Sequence, residues 1–357
     1  KNMSILAETI WIPSGVDLQM FAPELALIGA IVSLLVVPLI VGRGSQTSAG
    51  IALIGALATL LLTASVAKDI RISPHAGFAP AGVSPMLLVD SFGVFFKLFL
   101  MLFLSLVIGL WLMGLSSKDK QRQATLVQPS SPEFFVLLLV SALGMALMVG
   151  TLNLLVIMIA IEMASLPSYA IVGSNKTSRR SAEASLKYVM FGAASAAIMA
   201  YGVSLIYGCF GSLYIPDIAR GLAADGSRLG LVAGVGFAAM IVGILFKISA
   251  VPFHFWCPDV FEGAPIEVTT WLSVASKAAG LGLLLRIVHA LCVGGPIDHL
   301  GPLAWGIGLI AAVTCTVGNL AALRQESVKR ILAYSSISHA GYMMMAGAIL
   351  VKARYSE

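Results

Sequence analysis

Apolar runs long enough to cross a hydrocarbon core of about 30 Å, roughly 20 helical residues each, follow one another along the chain with only short polar breaks between them. They fall near residues 22 to 41, 50 to 67, 86 to 115, 133 to 150, 152 to 173, 183 to 210, 229 to 262, 265 to 290, 303 to 322 and 328 to 350. The pattern predicts ten membrane spans. The seventh, 229 to 262, is too long and too polar to be one uninterrupted helix. The fourth and fifth are joined only by Gly150, Thr151, Leu152 and Asn153, which predicts a tight helical hairpin.

Composition supports the same class. Of 357 residues 59% are hydrophobic and only 11% charged, and no soluble domain of this length needs so apolar a surface. The expected fold is all-α, a polytopic membrane helix bundle. Cys209, Cys257, Cys292 and Cys315 lie far apart in apolar runs, without the spacing of a zinc site or an iron–sulfur cluster. They read as packing residues, and no metal is expected in this chain. The sequence also has no Rossmann glycine string and no P-loop, so it is expected to hold no NADH or flavin itself.

The formal charge of +5 is spread over short loops rather than massed in one patch, which argues for membrane topology and against nucleic acid. With the N-terminus outside, the inside loops hold Arg43, Lys118, Lys120, Arg122, Lys176, Arg179, Arg180, Arg324, Lys329 and Arg330. The outside then holds Lys68, Arg71, Arg220 and Arg228, plus Lys1, Lys352 and Arg354 at the chain ends. The bias favours that orientation. The sequence begins without Met and stops at VKARYSE just past a helix, as a chain trimmed at both ends would.

Lys97, Lys187, Lys247, Lys277 and Arg286 remain inside the spans. A charge at mid-bilayer costs about 2.5 to 3.5 kcal/mol even on the lenient insertion scale, so each needs an escape or a purpose. Arg286 is near the end of its span and is expected to snorkel to the headgroups. Lys97 has Asp90 seven residues away on the same helical face, which suggests a structural pair. Lys277, in VTTWLSVASKAAGLGLLLR, is too central to reach water, and Glu162, in NLLVIMIAIEMASLPSYAIV, is equally central. These two are the firmest functional candidates.

Lys247 stands five residues before Pro252, whose ring removes a backbone donor and clashes with the carbonyl of Ile248. The helix should break between about Lys247 and Phe255. A half-helix ending there would direct its freed carbonyls at the ammonium, as transporters do when they hold cations at the midplane. His254 follows just past the break, and its ordinary pKa of about 6.5 suits a proton relay. Lys187, in SAEASLKYVMFGAASAAIMAYG, lies closer to its helix start, where snorkelling and a buried role are both open. The chemistry of such a set is protonation rather than bond making. A lysine and a carboxylate about 7 Å apart interact by about 2.4 kcal/mol at an effective dielectric of 20. Moving Glu162 relative to Lys187 would therefore load or unload a proton.

The run VPFHFWCPDVFEGAPIEVTTWLSVASKAAG closely resembles the seventh and eighth helices of the N-type antiporter-like subunits of respiratory complex I, the proton-pumping NADH:quinone oxidoreductase. IEMASLPSYA, LKYVMFGAASAAIMAYG and LRQESVKRILAYSSISHAGY resemble the same family's fifth, sixth and tenth helices. The resemblance covers nearly all of residues 86 to 350. It implies that Glu162 and Lys187 form a charge-modulating pair, that Lys247 is the pumping lysine, and that His254 and Lys277 connect it toward the membrane centre. The M-type, L-type and Mrp antiporter subunits usually carry a histidine pair and an EGPTPVSALIHAATM-like string where this chain has Lys277 and EGAPIEVTTWLSVASKAAG, which favours the N-type.

The family's fold has two inverted five-helix repeats plus flanking helices. On that pattern residues 1–115 are the N-terminal helices, 133–290 the first repeat with its discontinuous seventh helix, and 303–357 the start of the second. The family's broken twelfth helix has no counterpart in the sequence. The resemblance further implies partners: the other membrane and peripheral subunits of complex I, sister antiporter-like subunits among them, which would hold NADH, FMN, iron–sulfur clusters and quinone. The bacterial cytoplasmic membrane is the expected location, with an organellar inner membrane as the alternative. A cation/proton antiporter or membrane-bound hydrogenase subunit is the competing reading, separated by sodium dependence. A scaffold whose buried charges only fix helix packing would tolerate charge-neutral substitutions.

Overall fold

A computed structural model describes residues 13–42, 44–72, 84–116, 132–225, 230–295 and 300–355. The chain folds as an all-α bundle. A short α1 (Gly15–Met20) leads into α2 (Ala22–Val41), α3 (Ser45–Ile72) and α4 (Ser91–Ser116). Then come α5 (Pro132–Val149), α6 (Leu154–Val172), α7 (Arg179–Phe210), the short α8 (Ile215–Asp225) and α9 (Gly230–Ile248). Past the interruption are α10 (Trp256–Gly263), α11 (Ile266–Gly294, with a π-helical turn at Leu272–Ser276), α12 (Leu300–Ala322) and α13 (Val328–Tyr355). Among the described residues, nine helices are long and apolar enough to cross a membrane. The tenth expected span, α13, has the length but is more polar, carrying Lys329, Arg330, Ser335, Ser336, Ser338 and His339.

Large apolar side chains such as Leu39, Ile40, Leu231 and Trp305 are exposed. On a chain of this composition that surface faces lipid rather than water. With lipid as apolar as the helices, association depends on close backbone approach at small residues. At Gly144 of α5 an added Cβ would lie 2.5 Å from the backbone nitrogen of Ala164 in α6, and at Gly202 of α7 it would run into the backbone of Met240 in α9. Gly144→Ala should therefore push α5 from α6 and lower stability by about 1 to 3 kcal/mol, the usual cost of overpacking. Thermal unfolding of the detergent-solubilised protein measures it, and an unchanged midpoint would show that the crossing can relax.

The α5–α6 hairpin forms as the sequence predicts. Asn153 caps α6, its side-chain oxygen accepting from the N–H groups of Leu155 and Val156. The turn also gathers neighbours. Gly150 accepts from the Leu88 N–H at 2.7 Å, Thr151 donates to the Met86 carbonyl at 2.6 Å, and Asn153 pairs with Tyr214 in an isolated antiparallel bridge. These bonds bring the approach to α4 and the α7–α8 link to one end of the bundle. There α8 buries Ile215, Ile218 and Ala219 and exposes Arg220, an amphipathic helix the span pattern did not reveal.

Two expectations about buried charges are corrected here. Lys97 pairs with Glu24 of α2 rather than with Asp90. Asp90 instead takes Arg286 in a two-pronged bond, at 3.0 and 2.6 Å. Arg286, with 5% of its side chain exposed, does not snorkel, because the segment before α4 folds over the end of the hairpin and offers it a carboxylate inside the protein. The orientation argument rests partly on Lys1, Arg43, Lys118, Lys120, Arg122 and Arg228, which lie outside the described residues.

Candidate functional site

A few residues end α9. Ser249 takes a left-handed backbone conformation (φ +64°). Its N–H donates to the Phe246 carbonyl at 3.0 Å while the Ala250 N–H reaches back to the Leu245 carbonyl at 2.9 Å. This pair of bonds is the Schellman closure, a place usually given to glycine. Pro252 then prevents the helix from resuming. Residues 249–255 run as turns until α10 starts at Trp256, so the break lies where Pro252 predicts it. The turn is pinned by the Val251 N–H on Thr314 Oγ1 of α12, at 3.1 Å, and by the Trp256 indole on the Phe246 carbonyl, at 3.2 Å.

Lys247 is completely buried. Its Nζ donates to Ser165 Oγ of α6 at 3.1 Å. The freed carbonyls expected around the ammonium are not what holds it: those of Leu245 and Phe246 are taken by Ala250, Ser249 and Trp256. Helical side chains lean toward the N-terminus, away from the carbonyls that follow them, so Lys247 reaches across to α6. No carboxylate among the described residues forms an ion pair with it. Glu162, three residues before Ser165, is on the same face of α6. Tyr188 stacks on Trp256 with ring centres 4.4 Å apart, and Tyr169 and Phe246 pack on the same pair. This aromatic group packs α6, α7, α9 and α10 together.

Lys277 follows directly on the π-helical turn and is also buried. Its Nζ donates to Ser336 Oγ of α13 at 2.7 Å and stands 5.8 Å from the centre of the Phe261 ring. A cavity of about 490 Å³ opens beside it, lined by Thr269, Thr270, Ser273, Ser336 and His339 among others. Most of its lining surface is apolar, Phe99, Leu332 and Met343 included, so water would find partners at these hydroxyls and at His339. Gly280, one turn beyond Lys277, abuts the helix of Lys247: a Cβ added there would lie 3.6 Å from Lys247 Cβ. Glu162, Ser165, Lys247, Lys277 and Ser336 thus succeed one another across α6, α9, α11 and α13.

His254 lies in the break, buried, its ring against Phe255. Its Nδ1 is buried and has no hydrogen-bond partner among the described residues. Lys187 departs from the expected pairing. Its ammonium sits 2.8 Å from Asp259 of α10 and 2.8 Å from Glu183, in a hydrophilic recess bounded by Arg180, Glu262 and Arg330. Lys187 projects from α7 toward α10, so these carboxylates, rather than Glu162 on α6, are its partners.

Sequence reasoning missed Ser165, Ser336 and Asp259. For Ser165 a signal existed in its place one turn after Glu162. Nothing in the sequence points Ser336 to Lys277 or Asp259 to Lys187. Among the described residues no three His, Cys, Asp or Glu side chains gather as a metal ion would need. The arrangement sets two buried ammonium groups against serine hydroxyls, Lys247 against Ser165 and Lys277 against Ser336, with room beside Lys277. Titratable groups and hydroxyls so placed suit the passage of protons.

The chain is similar to known membrane proteins. The family described as NADH:quinone oxidoreductase/Mrp antiporter, TM, matches residues 151–356. NADH-quinone oxidoreductase subunit N of Anaeromyxobacter sp. is 37% identical over 342 residues, spanning 91% of this chain and 63% of that protein. A chain of respiratory complex I from Thermus thermophilus is similar in structure with a TM-score of 0.70 at 33% identity, over 91% of this chain and 64% of its own. A chain of an archaeal membrane-bound sulfane sulfur reductase gives a TM-score of 0.75 at 25% identity, over 94% and 65%. The chain thus spans somewhat less than two thirds of the length of the curated relatives it matches. A family match over more than half the sequence, with a broken helix and central lysines in the matched part, places this chain in the NADH:quinone oxidoreductase/Mrp antiporter family of membrane proteins.

Proposed function

We propose that this chain is a proton-translocating membrane subunit of an NADH:quinone oxidoreductase. It carries protons by way of Glu162, Lys187, Lys247, His254 and Lys277, while quinone is reduced in partner subunits that hold the NADH, FMN and iron–sulfur sites. The reading is carried by one observation above all. Lys247 is fully buried at the end of an interrupted helix, with a single hydroxyl as its hydrogen-bond partner among the described residues. Burying an unpaired ammonium costs several kcal/mol, more than one hydroxyl returns, and a merely structural cation would be paired. Whether Lys247 holds its proton then depends on the charge of Glu162, and Lys187 can tune that charge.

On this reading residues 1–115 are peripheral helices, 133–290 one five-helix repeat and 303–357 the start of its inverted partner. The membrane is the bacterial cytoplasmic one, with the N-terminus outside. The relatives' names support the complex I assignment, and the matched family also includes Mrp antiporters. The complex purified with this chain and reconstituted into vesicles should therefore translocate protons during NADH oxidation by quinone in buffers free of sodium. Transport that requires sodium would move the assignment to the cation/proton antiporters. The chain by itself should show no NADH or quinol turnover.

A further inference from the structure

The N-terminal helices carry a polar site of their own, apart from the lysines around the helix break. Glu24 of α2 and Lys97 of α4 form an ion pair that is almost wholly inside the protein, with 2% and 10% of their side chains exposed. Both helices pack on α5. The stem of Lys97 passes over the α5–α6 turn, where a Cβ added at Gly150 would lie 3.5 Å from Lys97 Cε. The pair therefore stands where α2 and α4 meet the hairpin.

Its hydrogen bonding is incomplete. Glu24 Oε1 accepts from Lys97, while Glu24 Oε2 is buried and has no partner among the described residues. The ammonium in turn has more hydrogens than the one it gives to Glu24. A cavity of about 10 Å³ adjoins the pair, bounded by Glu24, Lys97, Ala146 of α5, and Thr59 and Thr63 of α3. Both threonines are buried, and each donates its hydroxyl proton to its own helix, Thr59 to the Gly55 carbonyl at 2.8 Å and Thr63 to the Thr59 carbonyl at 2.7 Å. Their oxygens still have lone pairs with which to accept.

A bare carboxylate oxygen inside a protein is costly. The space beside this one suits a single water, which needs about 10 to 15 Å³ and two to four polar partners. We propose that the cavity is a built site for one water molecule. The water accepts from Lys97 Nζ and donates to Glu24 Oε2 and to a threonine oxygen, which completes the bonding of the pair. The salt bridge joins α2 to α4, and the water brings α3 into the same junction. Apolar contact alone gives helices little preference for one another over lipid. This polar junction supplies the preference, and it fixes how the three N-terminal helices dock on α5.

The test is a map of the complex purified with this chain, by electron cryo-microscopy at a resolution that shows ordered water. One peak within hydrogen-bond distance of both Glu24 Oε2 and Lys97 Nζ is expected. A site without density, or one where another side chain or a partner subunit reaches Glu24 Oε2, overturns the inference. Thermal unfolding of the detergent-solubilised protein carrying Thr59→Val with Thr63→Val gives a second reading, since valine keeps the shape and deletes the hydroxyls. If a threonine holds the water, the midpoint should fall by about 2 to 4 °C, the shift that one net hydrogen bond makes. In a dry cavity the hydroxyls would serve only their own helix, a bond that slightly destabilises helices, so a midpoint unchanged or raised overturns the role given to the water. Should the double variant not fold, the map of the wild-type complex decides alone.

Discussion

Lys247→Arg should leave the complex assembled and cut proton translocation by about tenfold or more, the scale of loss when a positioned proton carrier is removed. Arginine keeps a charge at this position but does not give up its proton at physiological pH. Lys247→Met tests the other side, since it nearly preserves volume in a site without exposure while deleting both the charge and the bond to Ser165. If Lys247 carries protons, both variants impair pumping. If it serves only as a fixed positive charge, arginine pumps and methionine does not. If it only packs, methionine pumps normally. Proton uptake by vesicles holding each assembled variant, normalised to electron transfer, distinguishes the three.

Asp90→Ala should produce a large loss of stability. Arg286 is held by both oxygens of Asp90 and lies 5.0 Å from the centre of the Phe92 ring, and its Nε already has no partner. Removing the carboxylate leaves the guanidinium inside the protein without its counter-charge. Breaking a buried pair in this way costs about 3 to 5 kcal/mol. Because 46% of the Asp90 side chain is exposed, water offsets part of that, and a loss of about 2 to 3 kcal/mol is expected. Replacing Arg286 as well, in Asp90→Ala with Arg286→Leu, should recover most of the stability, because no stranded charge remains. Thermal unfolding of the three proteins in one detergent measures this. A double variant no better than Asp90→Ala would show that the segment before α4 is held by something other than this pair.

The positions of the apolar spans, the hairpin at Gly150–Asn153 and the break before Pro252 were legible in the sequence. So was the burial of Lys277. Each of these depends on a local quantity: the length of an apolar run, a proline without a donor, or the cost of a charge far from either membrane surface. Partners were not legible. Lys247 meets Ser165, 82 positions away in the chain, and Lys187 meets Asp259, 72 positions away. Lys97 could have joined Asp90 on helical spacing alone, yet Glu24 of another helix lies closer. Arg286 could have reached the headgroups had the loop before α4 not brought Asp90 over it. In a soluble protein the polar stripe of each helix narrows such choices, because it shows which face turns inward. Here lipid and core are both apolar, so most helices are hydrophobic on every face. Their rotation is set by backbone contact at residues such as Gly144 and Gly202. The sequence by itself therefore determined which charges fall within apolar runs, and only the packing of the helices decided how deeply each is buried and which partner it faces.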